Sequence, residues 1–232
     1  KAELKDFKGA IEDYNNALKH NGNYVDIYEK RADAKFELND YKGAITDYNM
    51  AIKFDPSHAF LFFYRGRAKE NMHDFNGALA DYNRFIVNIP NYLDAYYYRG
   101  YAKIGVKDFK GALADFNKVI LNRPDFPDGY RGRGYLKFKT KDYKGAITDY
   151  NIAIELFPKF NDYMRRGNAK FELMDFRGAI ADYNKAIDLN PTDANIYFNR
   201  GNAKNQLKEF RGAVGDYSKS IELNPTDAKA FY

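Results

Sequence analysis

Small and apolar residues recur along this chain with helical spacing, in blocks broken at regular intervals. In the last full block, Tyr197, Gly201, Ala203 and Leu207 share one helical face, which predicts a helix from Ala194 to about Leu207. Lys208-Glu209 interrupts the pattern. Phe210, Ala213, Tyr217, Ile221 and Leu223 then resume it until Asn224-Pro225 ends a second helix. A Gly-Ala pair marks each second helix, at Gly9, Gly43, Gly77, Gly111, Gly145, Gly178 and Gly212, in steps of 34 residues with one step of 33. A fixed period in this range signifies stacked supersecondary units that share a continuous core. The pattern therefore predicts one elongated domain over 1–232: a partial unit 1–24, full units 25–58, 59–92, 93–126, 127–159, 160–193 and 194–227, and a stub 228–232. No polar capping helix is evident at either end, so a piece of a longer protein is expected.

Several columns hold in every unit. An acid precedes the aromatic that opens the second helix (Asp6, Asp40, Asp74, Asp108, Asp142, Asp175, Glu209), where a carboxylate caps free N–H groups and meets the positive end of the dipole. The Gly-Ala glycine that follows costs about 1 kcal/mol inside a helix, and close helix approach is the expected reason. Ala32, Gly66, Gly100, Gly134, Gly167 and Gly201 form a small-residue seam in the first helices. Aromatic columns run from Tyr28 to Tyr197, from Phe7 to Phe210 and from Tyr14 to Tyr217. The middle is less regular. Gly129, Gly132 and Gly134 crowd one predicted helix, the junction Pro158 to Asn161 is one residue short, and Phe85 and Val119 replace a small residue.

The 34-residue helix-turn-helix unit, its small and aromatic columns and the proline after the second helix resemble the tetratricopeptide repeat over the whole chain. The resemblance implies an all-α fold, a right-handed superhelical solenoid of antiparallel helix pairs. Two columns depart from the family: Arg31, Arg65, Arg99, Arg133, Arg166 and Arg200 stand where it usually has Leu, and Lys35, Lys69, Lys103, Lys137, Lys170 and Lys204 where it usually has an aromatic. They define an Arg/Lys-containing variant subtype.

Composition adds a few limits. There is no cysteine, which excludes disulfides and thiol chemistry and leaves cytoplasm and periplasm equally open. No apolar run approaches the roughly 18 residues of a membrane span. A net charge of +5 is a mild excess and selects no polyanion partner by itself. His20, His58 and His73 share no face, so no metal or other cofactor is expected, and no glycine has phosphate-loop spacing. The Asp column Asp13, Asp47, Asp81, Asp115, Asp149, Asp182 and Asp216 recurs in every unit, whereas an active site would be singular. Pairing with the Arg column into an ion ladder is the expected role, and no enzyme activity is read from the chain.

The resemblance implies that variable residues of the first helices line a concave groove. Its members run from acidic (Asp26, Glu29, Asp33, Glu37) through aromatic with arginine to asparagine-rich. The residues expected to bind an extended peptide or a partner helix are Phe63, Tyr64, Arg67, Tyr97, Tyr98, Tyr101, Arg131, Tyr135, Arg165, Asn168, Asn199, Asn202 and Lys229. Tyr and Arg anchor interfaces, and asparagine bonds a peptide backbone through both donor and acceptor. The family's carboxylate clamp is matched at Asn168, Asn199 and Lys229 but not at Met164. Two other functions fit the sequence: an RNA-binding helical repeat, with aromatics stacking bases, and a module for end-to-end oligomerisation.

Overall fold

A computed structural model describes residues 6–20 and 25–225 of the protein. Among them are thirteen α-helices and no strand. After α1 (Phe7–His20), the helices come in pairs: α2 (Val25–Glu37) with α3 (Tyr41–Phe54), α4 (Ala59–Asn71) with α5 (Phe75–Asn88), and α6 (Leu93–Gly105) with α7 (Phe109–Asn122). There follow α8 (Pro127–Lys139) with α9 (Tyr143–Leu156), α10 (Phe160–Glu172) with α11 (Phe176–Leu189), and α12 (Ala194–Gln206) with α13 (Phe210–Leu223). The chain forms two compact units, Lys1–Val119 and Ile120–Tyr232.

One turn serves every pair. In the first, Asn39 takes a left-handed conformation (φ 62°) and donates to the Phe36 carbonyl at 2.9 Å, while the Asp40 N–H reaches back to the Lys35 carbonyl at 2.9 Å. This is the Schellman closure, which satisfies carbonyls left over at a helix end. His73, Lys107, Lys141, Met174 and Lys208 repeat it at φ 60–65°. The residue that closes the first helix also opens the second, because the Asp40 carboxylate accepts from the Gly43 N–H at 2.9 Å. Asp6, Asp74, Asp108, Asp142 and Asp175 do the same for the glycine three residues on. Glu209, one methylene longer, makes no side-chain cap.

That cap corrects the reading of the Gly-Ala glycine. A Cβ on Gly43 would lie 2.1 Å from Asp40 Oδ2, and at Gly77, Gly111, Gly145 and Gly178 the capping carboxylate would again be met at 2.1 Å. The glycine makes room for its own helix cap, not for a neighbouring helix. Close helix approach belongs to the other column: a Cβ on Gly66 would come within 2.8 Å of the Tyr82 ring, and on Gly167 within 2.8 Å of the Tyr183 ring. These rings (Tyr48, Tyr82, Tyr150, Tyr183) are at most 1% exposed and, with the alanines of both helices, form the core within each unit.

The two unusual columns are parts of one device. Arg31 grips Asp47 through Nε (2.8 Å) and Nη2 (2.5 Å), and Lys35 reaches the same carboxylate at 2.7 Å. The remaining nitrogen, Nη1, donates to Asn15 of the preceding repeat at 2.7 Å. Arg65, Lys69 and Asp81 repeat the triad, as do Arg99, Lys103 and Asp115, Arg133, Lys137 and Asp149, Arg166, Lys170 and Asp182, and Arg200, Lys204 and Asp216. The aspartates are 0–4% exposed, so each buried negative charge is met by two cations, the condition under which a buried charge is tolerated. The asparagine after the Tyr of Asp-Tyr-Asn fixes register between repeats, at Asn49, Asn83, Asn151 and Asn184 as at Asn15.

The short junction has its own solution. Asp162 is 1% exposed in a column otherwise filled by Ile27, Leu61, Ala95, Gly129 and Ile196. It accepts from Arg131 Nε at 2.8 Å and Nη2 at 2.8 Å and from the Lys159 N–H at 3.1 Å. Arg131 also bonds Asp128 and the Phe157 carbonyl, closing a polar knot between α8 and the start of α10.

Candidate interaction grooves

The first helices of the N-terminal unit carry the variable residues. Their spacing places Asp33, Arg67 and Tyr101 in one column, and the structure gives each a different task. The Tyr48 hydroxyl donates to Asp33 at 2.7 Å, so the charge is held at the wall of a cavity of about 530 Å³ lined by Tyr14, Lys30, Phe36, Glu37, Tyr64 and Arg67 among others. Burial, helped by Asp33 and Glu29, raises the Tyr64 hydroxyl above its ordinary pKa. Burial, opposed by His58 and reinforced by Asp33, likewise raises Glu29. One helix on, the guanidinium of Arg67 lies between the rings of Phe36 and Tyr98, 5.0 Å from each centroid. Arg67 also lines a second cavity, of about 390 Å³, with Glu70, Asn71, His73, Phe75 and Tyr98. Tyr97 and Tyr101 meet edge to face at 5.1 Å and remain half-buried.

Phe63 departs from expectation. It is 3% exposed and packs on Phe85, Tyr92 and Tyr98 at 5.1–5.6 Å, which makes it core. The large Phe85 that replaces a small residue creates this cluster. Arg131 departs as well, being 7% exposed and spent on Asp162 and Asp128. Lys229 lies outside the described residues.

In the C-terminal unit the groove is more polar. Arg165 stacks on Tyr135 at 5.2 Å, and Lys139 lies 5.4 Å from the same ring. Asn168 Oδ1 accepts from the Tyr183 hydroxyl at 2.8 Å and from Asn199 at 3.2 Å, and Asn202 Oδ1 accepts from Tyr217 at 2.9 Å. The core tyrosines thus occupy the amide oxygens of Asn168 and Asn202, and both asparagines line a cleft of about 260 Å³ shared with Phe138, Phe171, Glu172 and Asn199.

Glu70 and Phe36 were not among the residues singled out from the sequence. Glu70 stands in a column with Phe36, Ile104, Phe138, Phe171 and Asn205, and the one acid in a mainly apolar column is the signal that finds it. It accepts from the buried Tyr82 hydroxyl at 2.7 Å because the position used by Asp33 elsewhere is occupied by Arg67. Desolvation pushes its carboxyl up to about 7, with Tyr82 and Arg67 acting in the opposite direction. Among the described residues no group of His, Asp or Glu is placed to hold a metal ion, and no helix is long and apolar enough to cross a membrane.

Helix pairs recurring at 33 or 34 residues, with a shared small-residue seam, define a helical-repeat protein. Profiles described as TPR repeat match residues 32–72 and 167–208, and others described as tetratricopeptide repeat match 103–159 and 194–227. The chain belongs to the tetratricopeptide repeat family. It is similar in fold to a tetratricopeptide repeat protein of Parabacteroides merdae, at 20% identity and a TM-score of 0.81 over 97% of this chain and 90% of that one. The Cut9–Hcn1 hetero-tetramer of the APC/C has a chain alike over 97% of this one and 45% of its own, with TM-score 0.80 and 14% identity. Yeast Tom70 matches at TM-score 0.66 and 16% identity, over 97% of this chain and 56% of its own. No curated protein sequence matches the chain.

Proposed function

We propose that the protein is a non-enzymatic interaction scaffold whose first-helix faces hold an extended peptide of a protein partner. The observation that carries this is the asparagine pair of the C-terminal unit. The hydroxyls of Tyr183 and Tyr217 hold the oxygens of Asn168 and Asn202, leaving the amide donors of two asparagines that line one cleft, a surface suited to the carbonyls of an extended backbone. Tyr135, Arg165 and Asn199 supply the side-chain contacts around it, and Tyr64, Tyr97, Tyr98 and Tyr101 do so in the N-terminal unit. Cut9 is seen in a complex with Hcn1, which fits an assembly role for this fold.

Selection of binders from a displayed random-peptide library with the full chain, followed by isotherms on variants, tests the reading. Tyr135→Ala is expected to weaken the selected peptides by about 1 to 4 kcal/mol, the range of interface hot spots, with little change in melting. Tyr150→Ala, in the core, is expected to lose about 3 to 5 kcal/mol of stability. If Tyr135→Ala melts as early as Tyr150→Ala while binding survives, the half-buried aromatics are packing and the groove reading is wrong. A steep loss of affinity with added salt would point instead to phosphate contacts and RNA.

A further inference from the structure

Arg67 differs from the ladder arginines in what surrounds it. Each of those is tied two-fold to a buried aspartate, whereas among the described residues the Arg67 guanidinium has no carboxylate in salt-bridge contact and is held by aromatic faces alone. Phe36 of α2 and Tyr98 of α6 each place a ring centroid 5.0 Å from its central carbon. Stacking leaves the in-plane N–H donors of a guanidinium unobstructed, and that edge matches a carboxylate in two-point geometry. The ordering cost is already met, because the side chain is sandwiched before any ligand arrives.

Resting on the reading of the groove as a peptide site, we infer that Arg67 takes the side-chain carboxylate of an internal Glu or Asp of the bound peptide, and that Glu70 competes with this carboxylate for Arg67. An internal residue is favoured over a chain end because Arg67 lines both the cavity of about 530 Å³ and the one of about 390 Å³, so a chain runs past it in both directions. Of the two cations lining the first cavity, Lys30 lies 3.9 Å from the Asp33 carboxylate, while Asp6, Asp33 and Glu37 repel a carboxylate placed beside α2, which leaves Arg67 as its seat.

The competition has a definite sign. The groups facing the Glu70 carboxyl are Tyr82 from α5, Arg67 from its own helix, and Tyr98 and His73 across the smaller cavity. Burial raises the carboxyl to about 7. Below that pH Glu70 is neutral and Arg67 answers only to the ligand. Above it, Glu70 is charged, offsets Arg67 and repels an incoming carboxylate. Binding of an acidic peptide therefore takes up a proton and strengthens as pH falls from 8 to 6.

The test uses the full chain and three synthetic degenerate decapeptide pools with Glu, Gln or Lys fixed at the centre, titrated at pH 6 and pH 8. The Glu pool is expected to bind at least ten-fold more tightly than the Gln pool at pH 6, and the ratio should shrink several-fold at pH 8. Arg67→Gln should abolish the preference for the Glu pool over the Gln pool at both pH values. Glu70→Gln should hold the pH 6 preference at both pH values, a response that a purely structural Glu70 would not give. If the Gln and Lys pools bind as well as the Glu pool, the groove reading stands and the role of Arg67 is overturned. If no pool binds, both fail.

Discussion

Arg131 and Asp162 show how a charged residue can be right in a place that the repeat reserves for apolar ones. Apart from Glu29 in the first full repeat, the columns they occupy hold Phe63, Tyr97, Met164 and Phe198 in one case and Ile27, Leu61, Ala95, Gly129 and Ile196 in the other. Either alone is a buried charge without compensation. Together they form a two-point pair at 2.8 Å that also caps α10. Removing one partner strands the other, at a cost of about 3 to 5 kcal/mol, whereas replacing a buried pair by apolar residues is often neutral. Arg131→Met and Asp162→Ile, each taken from the neighbouring repeat, are accordingly expected to destabilise severely as single changes. The double variant should be more stable than either. A double-mutant cycle by urea denaturation checks this, and additive losses would mean that the pair is not the unit. The same column comparison exposes Glu70, so residue-scale exceptions were legible in the sequence once the register was known. What each exception touches was not.

At the scale of the element, α1 and every second helix except α13 open on an Asp with a glycine three residues on, and that glycine is explained by the carboxylate that hangs over it. The periodicity showed the glycine but suggested the wrong cause, since a small residue at helical spacing reads equally as a seam. Two positions separate the explanations. Gly178 faces Asp175 Oδ2, which a Cβ would meet at 2.1 Å, whereas Gly215 in mid-helix has nothing within 4 Å of such a Cβ. Gly215→Ala should stabilise the protein by about 1 kcal/mol through helix propensity alone. Gly178→Ala gains the same propensity but displaces a cap worth about 1 kcal/mol, and so should bring no net gain. Thermal melts of the two variants decide it. Equal stabilisation would show that the caps contribute nothing.

At the scale of the whole molecule, helices within each compact unit pack on those one or two places away in the chain, as α3 does on α2 and α4 and α11 on α10 and α12. Stability in such a stack is a sum of local terms and neighbour terms. Tyr183→Ala is thus expected to lower hydrogen-exchange protection in α10, α11 and α12 and to leave α3 and α5 as they were. Uniform loss of protection would show one cooperative block instead. The sequence by itself determined the helix pairs, their period, the caps, the core columns and the family, because these depend on spacing along the chain and recur in every repeat. It also placed the Arg and Asp columns together, since charges repeated in register require partners in register. Only the tertiary structure decided which variable residues remain at the surface. Arg131 shares a helical face with Tyr135 and Phe63 is the chain neighbour of Tyr64, yet Phe85 buries Phe63 and Asp162 binds Arg131. Burial depends on what a neighbouring helix brings to the contact, and a one-helix periodicity carries no record of that.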